Sequence, residues 1–274
     1  MIEGKRVVLI TGASSGFGKA CADRLSRAGY VVYGTSRRAR FGDSDSINPA
    51  WCCIPLDITN DDTIKTAVEY ILKREQRIDI VINNAGMALA GSVEDCSDTE
   101  ILQQLDTNFL GPWRVCRAVM PHMRQQKDGY IINVSSIAGL VGIPFQAAYS
   151  SAKFALEAMT EVLRMEVKPY GIKVALVEPG DFRTRLTDNR VIAKQCSGSV
   201  YRERFDTALN TMIAEEQNGR SPEHLARLVE KIIALPSPRL RYTCGKPVQR
   251  LVPFLKRLLP ASWVELTLRK MYGI

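Results

Sequence analysis

Short runs of apolar residues alternate along the chain with longer segments in which apolar residues recur at helical spacing. The runs predict strands at 7–11, 30–35, 51–59, 78–86, 129–136, 171–180 and 241–245. The longer segments predict helices at about 17–28, 61–76, 99–127, 150–168 and 221–235. Strands that are apolar throughout and are joined by helices indicate a parallel sheet covered on both faces. The predicted fold class is therefore α/β, with a doubly wound parallel sheet.

A polar, glycine-containing stretch at about 181–220 breaks this alternation after the sixth strand. Sites in open parallel sheets lie beyond the carboxyl ends of the strands, so this insertion is predicted to be a substrate lid. The alternative is a surface excursion without function. The sequence shows no linker and no internal repeat, and we therefore expect a single domain over 1–274.

The C-terminal tail, about 246–274, is apolar and basic. Ser262 and Glu265 have the spacing of a capping box ahead of an apolar helix. We expect the tail to cover the mouth of a pocket or to pack on a neighbouring subunit. The alternative is a weak contact with a membrane surface.

Composition narrows the class of protein. Apolar residues make up 46% of the chain and charged residues 24%, which is typical of a globular protein. The net charge of +8 is spread along the chain, so no nucleic-acid surface is predicted. Seven cysteines without a C-x-x-C motif favour a reducing, cytoplasmic location, and two histidines leave little for a metal site, so none is predicted.

The stretch TGASSGFG, which follows the first strand, fits two chemistries. Gly12, Ser14 and Gly16 match the G-x-S-x-G nucleophile elbow of serine hydrolases, which also needs a histidine base. The same turn between a strand and a helix would bind a dinucleotide's phosphates through free N–H groups and the positive helix end. A plain turn is the third possibility. The two histidines, His122 and His224, follow no predicted strand, which favours the phosphate site.

The end of the second strand bears on the cofactor. It ends with Ser36, Arg37 and Arg38, and the next acidic residue is Asp43. An acidic residue at this position would bind the ribose 2′-hydroxyl of NAD(H), whereas arginine suits a 2′-phosphate. The two arginines favour NADP(H) over NAD(H), and the alternative is a solvated basic loop.

Tyr149 and Lys153 lie four residues apart at the start of a predicted helix, which places both on one face. A nearby ammonium stabilises a phenolate and is expected to lower the pKa of Tyr149. Such a phenol can exchange a proton with a carbonyl or alcohol oxygen. Ser136 ends the fifth strand thirteen residues earlier, at the same edge of the sheet as the glycine turn, where its hydroxyl could hold a substrate oxygen.

Several motifs, in order, resemble those of the short-chain dehydrogenase/reductase family over roughly residues 5–185. They are TGASSGFG, LDIT (56–59), NNAG (83–86), Asn108 in DTNFLG, NVSS (133–136), YSSAK (149–153) and EPG (178–180) followed by Thr184. The resemblance implies one Rossmann-like domain, with about seven parallel strands and helices on both faces, that transfers a hydride at a nicotinamide.

The resemblance also implies a role for each matching residue. Tyr149 would be the acid/base, Lys153 would lower its pKa and bind the nicotinamide ribose, Ser136 would orient the substrate oxygen and Asn108 would hold a water. The implied cofactor-binding residues are Gly12, Ser14, Ser15, Gly16, Phe17, Gly18, Ser36, Arg37, Arg38, Asp57, Ile58, Asn84, Ala85, Gly86, Tyr149, Lys153, Pro179, Gly180 and Thr184. NADP-preferring members often carry a basic residue where this chain has Ser15, so the NADP(H) prediction depends on Arg37 and Arg38.

The substrate pocket predicted from the family is mostly apolar. Its walls would be Met87, Leu89, Val141, Ile143, Phe145, Phe182 and Leu186, although several of these could instead pack in the sheet. The prediction is an NADP(H)-dependent carbonyl reductase or hydroxysteroid-dehydrogenase-like enzyme, in a homodimer or homotetramer, acting on a small lipophilic ketone, aldehyde or secondary alcohol. The alternatives are a serine hydrolase that uses Ser14 and a non-catalytic NADPH-binding sensor.

Overall fold

A parallel sheet forms the centre of the molecule, in a computed structural model that describes residues 4–41, 50–184, 187 and 189–274. In chain order the strands are β1 (Val7–Ile10), β2 (Val31–Ser36), β3 (Cys52–Pro55), β4 (Ile80–Asn83), β5 (Leu89–Ala90), β6 (Gly129–Val134), β7 (Ile172–Pro179), β8 (Val191–Ile192) and β9 (Arg241–Cys244). Seven of them form the main sheet in the order β3-β2-β1-β4-β6-β7-β9, and β5 pairs with β8. The strand order reverses between β1 and β4, which is where open α/β sheets bind ligands.

Helices cover both faces of this sheet. They are α1 (Gly16–Arg27), α2 (Asp61–Glu75), α3 (Asp98–Leu105), α4 (Gly111–Gln126), α5 (Ala147–Val167), α6 (Arg202–Gln217), α7 (Pro222–Ile233), α8 (Pro247–Leu258) and α9 (Ala261–Tyr272). Alternate strand residues point to opposite faces, so Val8 and Ile10 pack with α1 and α7, whereas Val7 and Leu9 pack with α2, α4 and α5. The result is the predicted α/β class with a Rossmann-like, doubly wound sheet.

The helix predicted at 99–127 is interrupted in the structure. A π-helical turn, Asp106–Leu110, separates α3 from α4. Pro112 lies in the first turn of α4 and has no N–H for the carbonyl of Asn108, four residues earlier. The missing hydrogen bond accounts for the wider turn at Asn108, which lies beside the candidate site.

The tail also differs from its prediction. The capping box at Ser262 and Glu265 is wrong, because Pro260 is the N-cap residue of α9 and makes no side-chain cap hydrogen bond. Ser262 instead lies in the first turn of α9. The sequence analysis did not predict the preceding helix, α8. No helix in the described ranges is long and apolar enough to cross a lipid bilayer.

Some sequence predictions fall partly outside the described residues. The wall residue Leu186 and the acidic residue Asp43 are not described. Of the predicted lid at 181–220, residues 185, 186 and 188 are also not described; the rest includes β8 and α6. Residues 246–274 form α8 and α9.

Candidate active site

A cavity of about 1370 Å³ opens at the carboxyl edge of the sheet, around the point where the strand order reverses. It extends from the glycine turn after β1 to the tail helices α8 and α9. Ordinary ligand pockets occupy roughly 300–1,000 Å³, so this one has room for a dinucleotide and a substrate together. Every catalytic and cofactor-binding residue predicted from the sequence lines it, with the exception of Gly18.

Gly18 packs the turn rather than lining the cavity. A Cβ atom at this position would lie 2.4 Å from the carbonyl oxygen of Gly12 and 2.6 Å from Nδ2 of Asn84. Gly12 has a φ of +69°, in the left-handed region, and its Cα approaches the loop after β4 so closely that a Cβ would lie 2.9 Å from Cα of Ala85. The two glycines therefore allow the turn, the start of α1 and the loop after β4 to meet.

Asn84 fastens the glycine turn to the end of β4. Its Nδ2 donates to the carbonyl oxygens of Thr11 and Gly12, at 3.0 and 3.1 Å. The Thr11 hydroxyl in turn accepts hydrogen bonds from the N–H groups of Asn84 and Ala85. Asn84 lines the cavity, but its amide nitrogen already donates to the backbone of the turn.

The turn has the properties of a phosphate site. The N-cap residue of α1, Ser15, makes no side-chain cap hydrogen bond, so its own hydroxyl does not occupy the N–H groups of the first turn. The positive end of the α1 dipole lies in the cavity wall at Gly16 and Phe17. These groups fit the pyrophosphate of a dinucleotide.

Four polar residues continue the wall, from the end of β2, the loop that follows β2 and the loop that follows β3. Ser36 ends β2 and accepts a hydrogen bond from the N–H of Arg38. Arg37 and Arg38 are exposed and line the cavity. Asp57 lines it as well, and its carboxylate accepts hydrogen bonds from the N–H and hydroxyl of Thr59. The two arginines thus follow β2 directly and lie in the cavity wall; that they contact the adenosine ribose stays a prediction.

Tyr149, Lys153 and Ser136 meet at the other end of the cavity. Tyr149 and Lys153 lie one turn apart in α5, and both are more than nine-tenths buried. The Lys153 ammonium nitrogen lies 5.8 Å from the centre of the Tyr149 ring and donates to the Val134 carbonyl oxygen at 2.9 Å. The Ser136 hydroxyl, just beyond β6, accepts from the N–H of Ala138 and donates to the carbonyl oxygen of Pro179.

The pKa of Tyr149 moves opposite to the prediction. Burial of the phenol raises it, and this effect exceeds the lowering by a hydrogen bond with Ser136. Glu216 and Asp181 raise it further, whereas Arg190 lowers it. The prediction that Lys153 lowers this pKa is therefore not supported, because desolvation dominates and the lysine donates to the backbone. The phenol remains protonated at neutral pH.

Lys153 is itself perturbed by its surroundings. Burial lowers its pKa to about 8, and the carboxyl of Glu157, one turn along α5, opposes that shift. Most of the lysine is still charged at pH 7. Its ammonium can therefore bind neutral oxygens in the cavity.

Asn108 positions the loop after β4. Its Oδ1 accepts from the N–H of Met87 and its Nδ2 donates to the carbonyl oxygen of Met87, both at 2.9 Å. The side chain is buried in the π-helical turn described above. Its role in holding a water stays a prediction.

Ser14 lacks the partner that an elbow needs. It is exposed in the cavity wall, but His122 lies in α4 and His224 in α7, and neither lines the cavity. The serine hydrolase alternative therefore has no histidine base.

The predicted substrate walls divide into two groups. Met87, Val141, Ile143 and Phe182 line the cavity. Leu89 and Phe145 do not: Leu89 is fully buried, and the Phe145 ring stacks edge-on against Phe205 at 5.6 Å.

Other cavity residues were missed by the sequence analysis. Nine of them are the acidic groups Asp181, Glu215 and Glu216, together with Arg190, Gln146, Met212, Val252, Leu268 and Tyr272. Their common origin is the 181–220 insertion and the tail, apart from Gln146, the residue before α5. Burial and the nearby Glu216 together raise the pKa of Asp181 to about 6, against hydrogen bonding from Gln249. No spacing signal in the sequence brings these segments together.

Comparison with known proteins agrees with this geometry. The family model described as short chain dehydrogenase matches residues 6–195. The chain is 43% identical over 270 residues to a 3-ketodihydrosphingosine reductase of Bacteroides thetaiotaomicron, covering 98% of each protein. It is 32% identical to Dehydrogenase/reductase SDR family member 7B of Xenopus laevis, covering 95% of this chain and 80% of the relative.

A solved structure extends the comparison to the fold. A short-chain dehydrogenase from Streptomyces avermitilis superposes with a TM-score of 0.81 at 33% identity, covering 98% of both chains. The cavity at the strand reversal, the glycine turn and the Ser136, Tyr149 and Lys153 set are thus accompanied by similarity over nearly the whole length. This chain belongs to the short-chain dehydrogenase family of oxidoreductases.

Proposed function

We propose that this oxidoreductase uses NADPH to reduce a long-chain ketone, and that 3-ketodihydrosphingosine is the first substrate to test. The observation that carries the proposal is the convergence of Ser136, Tyr149 and Lys153 in the cavity that also contains the glycine turn and two arginines. The Bacteroides relative supplies the substrate candidate by its name.

The preference for NADPH is supported by Arg37 and Arg38. Both cations lie in the cavity wall directly after β2. A guanidinium binds the 2′-phosphate through paired hydrogen bonds, whereas NADH offers only a hydroxyl there. Bound NADPH would supply the hydride, and a side chain of the protein would donate the proton.

The raised pKa of Tyr149 favours the reducing direction. A protonated phenol can give its proton to a carbonyl oxygen as that oxygen becomes negative. The Ser136 hydroxyl, beside it, would hold the same oxygen in line. The Lys153 ammonium, which donates to the Val134 carbonyl oxygen, would bind the nicotinamide ribose, as the family resemblance implies.

The cavity suits a substrate with an alkyl chain and a polar head. Apolar side chains from three parts of the chain line it, among them Val141, Ile143, Met212, Val252 and Leu268. Asp181, Glu215 and Glu216 lie in the same wall. Glu215 pairs with Lys246 and Glu216 with Arg190, so Asp181 is the carboxylate that would attract an amino group beside the ketone. 3-Ketodihydrosphingosine carries such an amino group next to its carbonyl carbon.

The proposal is tested by NADPH oxidation with matched ketones. We expect 3-ketodihydrosphingosine to be turned over with a higher kcat/KM than a ketone of equal chain length without the amino group. A steroid ketone and a short ketone complete the panel. Tight NADPH binding with no turnover of any of them would contradict the proposal and favour the non-catalytic sensor.

Replacing the proton donor tests the mechanism. Tyr149→Phe removes the phenolic proton and keeps the ring, so kcat should fall by about 10²–10⁴-fold, the usual contribution of a general acid. NADPH binding, followed by fluorescence, should remain near that of the wild type. Tyr170→Phe is the matched control, because Tyr170 is exposed beyond the end of α5 and should leave kcat unchanged. Full activity in Tyr149→Phe would refute the mechanism.

A further inference from the structure

The tail helices expose an apolar surface that the rest of the described chain does not cover. Neither α8 nor α9 contains a buried residue. In α8 the large apolar side chains recur at helical spacing, and Phe254 and Leu258 are 60% and 66% exposed. In α9, Trp263 is 64% exposed. We call this surface the tail face: Leu251, Phe254, Leu255, Leu258, Trp263 and Leu266.

The opposite sides of the same helices line the cavity. Gln249 and Val252 reach it from α8, and Leu268 and Tyr272 reach it from α9. Gln249 also accepts a hydrogen bond from the N–H of Asp181, at 3.2 Å, and Lys256 donates to the carbonyl oxygen of Leu140 at 2.8 Å. The helices are thus held over the cavity, and the tail face points away from it.

Apolar surface continues from the outside into the cavity at two points. Val248 and Met271 are both exposed and both line the cavity. A molecule on the tail face is therefore separated from the cavity only by the width of one helix or by the gap beside it.

The net charge of residues 246–274 indicates what kind of surface binds the tail face. Residues 246–274 contain six basic side chains and one acidic side chain, Glu265, which gives the segment a net charge of +5. Exposed basic residues, Arg257, Arg269 and Lys270, lie on the same two helices as the exposed apolar side chains. Two copies of this surface would repel each other, whereas an anionic lipid surface would attract it.

We propose that α8 and α9 lie on the surface of an anionic phospholipid bilayer, with the tail face inserted at the headgroup boundary. Apolar side chains would enter the boundary and the basic side chains would contact lipid phosphates. An exposed tryptophan is the residue type that prefers this depth. If the proposed function also holds, a lipophilic ketone could pass between bilayer and cavity without crossing water.

The test is flotation of the purified full-length protein with vesicles. We expect binding to phosphatidylcholine vesicles that contain phosphatidylglycerol, weaker binding to phosphatidylcholine alone, and loss of the difference at high salt. Trp263 fluorescence should shift to the blue on binding. The flotation assay contains neither NADPH nor ketone, so its outcome does not depend on whether the proposed reductase activity is found.

Two double variants distinguish lipid binding by the tail face from nonspecific binding by other exposed apolar side chains. Phe254→Ser combined with Leu258→Ser should lower the bound fraction by roughly tenfold or more, since two large apolar side chains leave the lipid. Leu102→Ser combined with Met165→Ser is the matched control, because those side chains are 64% and 67% exposed elsewhere on the surface and should leave binding unchanged.

Three results would overturn the proposal. The first is no binding to either vesicle, and the second is an equal loss in the two double variants. The third is self-association in solution that Phe254→Ser with Leu258→Ser abolishes, because the tail face would then be an interface between copies. Circular dichroism of each variant verifies that these surface substitutions leave the fold intact.

Discussion

Several side chains in the cavity wall bind the backbone rather than each other. Lys153 donates to Val134, Asn84 to Gly12, and Asn108 both accepts from and donates to Met87. Such bonds fix the loops at the carboxyl edge of the sheet. Arg37 and Arg38, by contrast, are exposed charged side chains at the proposed ribose site. At the scale of single residues, the preference between NADPH and NADH is therefore the property that one substitution should change most.

Arg37→Asp should reverse the preference between the two nicotinamide cofactors. The new carboxylate repels a 2′-phosphate and accepts hydrogen bonds from a 2′-hydroxyl, so KM for NADPH should rise about 10-fold or more while KM for NADH falls. Arg40→Asp is the matched control, since Arg40 is exposed nearby but does not line the cavity. Steady-state kinetics with both cofactors measure the effect, and an unchanged ratio would show that Arg37 is only a surface residue.

At the scale of elements, the cavity depends on how closely β1, α1 and β4 approach. Gly18→Ala should disturb this junction, because the added methyl group would lie 2.4 Å from the Gly12 carbonyl oxygen. Overpacking of this kind costs about 1–3 kcal/mol, and here the displaced turn should also weaken NADPH binding. Gly198→Ala is the control, with nothing within 4 Å of its added Cβ. Denaturant unfolding and cofactor titration measure both effects; wild-type values for Gly18→Ala would contradict the close approach.

Next to Lys153, α5, β7 and β9 bury two carboxyl groups around one arginine. Arg241 contacts Glu157 at 3.0 Å and Glu178 at 3.2 Å, and Thr243 donates to Glu178. Burial raises the pKa of Glu157 to about 7; Glu178 adds to this rise, whereas Ser135 and Arg241 oppose it. Burial likewise raises the pKa of Glu178. This cluster is absent from every sequence prediction above.

The buried carboxyls make stability depend on pH. A glutamate whose pKa is raised on folding stabilises the folded state below about pH 4.5, and this contribution is lost as the pH rises through about 7. Each unit of pKa difference corresponds to about 1.4 kcal/mol. Glu157→Gln should therefore flatten the fall in the free energy of unfolding between pH 5 and pH 8, measured by denaturant titration at each pH.

A matched control isolates this effect from loss of an ion pair. Glu161 also pairs with Arg241 from α5, but its side chain is largely exposed. Glu161→Gln should keep the wild-type slope against pH. Equal slopes in Glu157→Gln and the wild type would mean that Glu157 is ionised throughout the range, as its partner Arg241 favours.

At the scale of the whole molecule, the cavity joins segments from both ends of the chain. The glycine turn belongs to the first strand and helix, and the tail helices close the opposite side. A ligand that fills this space contacts most of the layers of the fold and should stabilise all of them together.

Cofactor binding should therefore raise the temperature of unfolding. NADPH at 100 times its Kd stabilises the folded state by about 2.7 kcal/mol. With an entropy of unfolding of about 2.1 cal/mol/K per residue, a chain of 274 residues gains about 2 °C per kcal/mol, so the shift in Tm should be about 5 °C. NADH at the same concentration should give a smaller shift in the wild type, and Arg37→Asp should reverse that order. Equal shifts for both cofactors in the wild type would contradict the proposed preference.

The sequence by itself determined the fold class and the side of the cavity wall that contains the glycine turn, Ser136, Tyr149 and Lys153. Strands of buried residues and amphipathic helices are local patterns, and so are the glycine turn and the spacing of Tyr149 and Lys153. Each depends on contacts between residues that are near in the chain, and a parallel sheet then brings the strand ends to one edge. Ser136 could be placed beside Tyr149 for that reason alone.

Only the tertiary structure decided the electrostatics and the far wall of the cavity. The pKa of Tyr149 depends on burial and on Glu216, Asp181 and Arg190, which lie 32 or more residues away in the chain. Likewise, α8 and α9 lie over the cavity through contacts such as that of Gln249 with Asp181, 68 residues apart. Desolvation and long-range packing have no periodic signature, so no pattern in the sequence could reveal them.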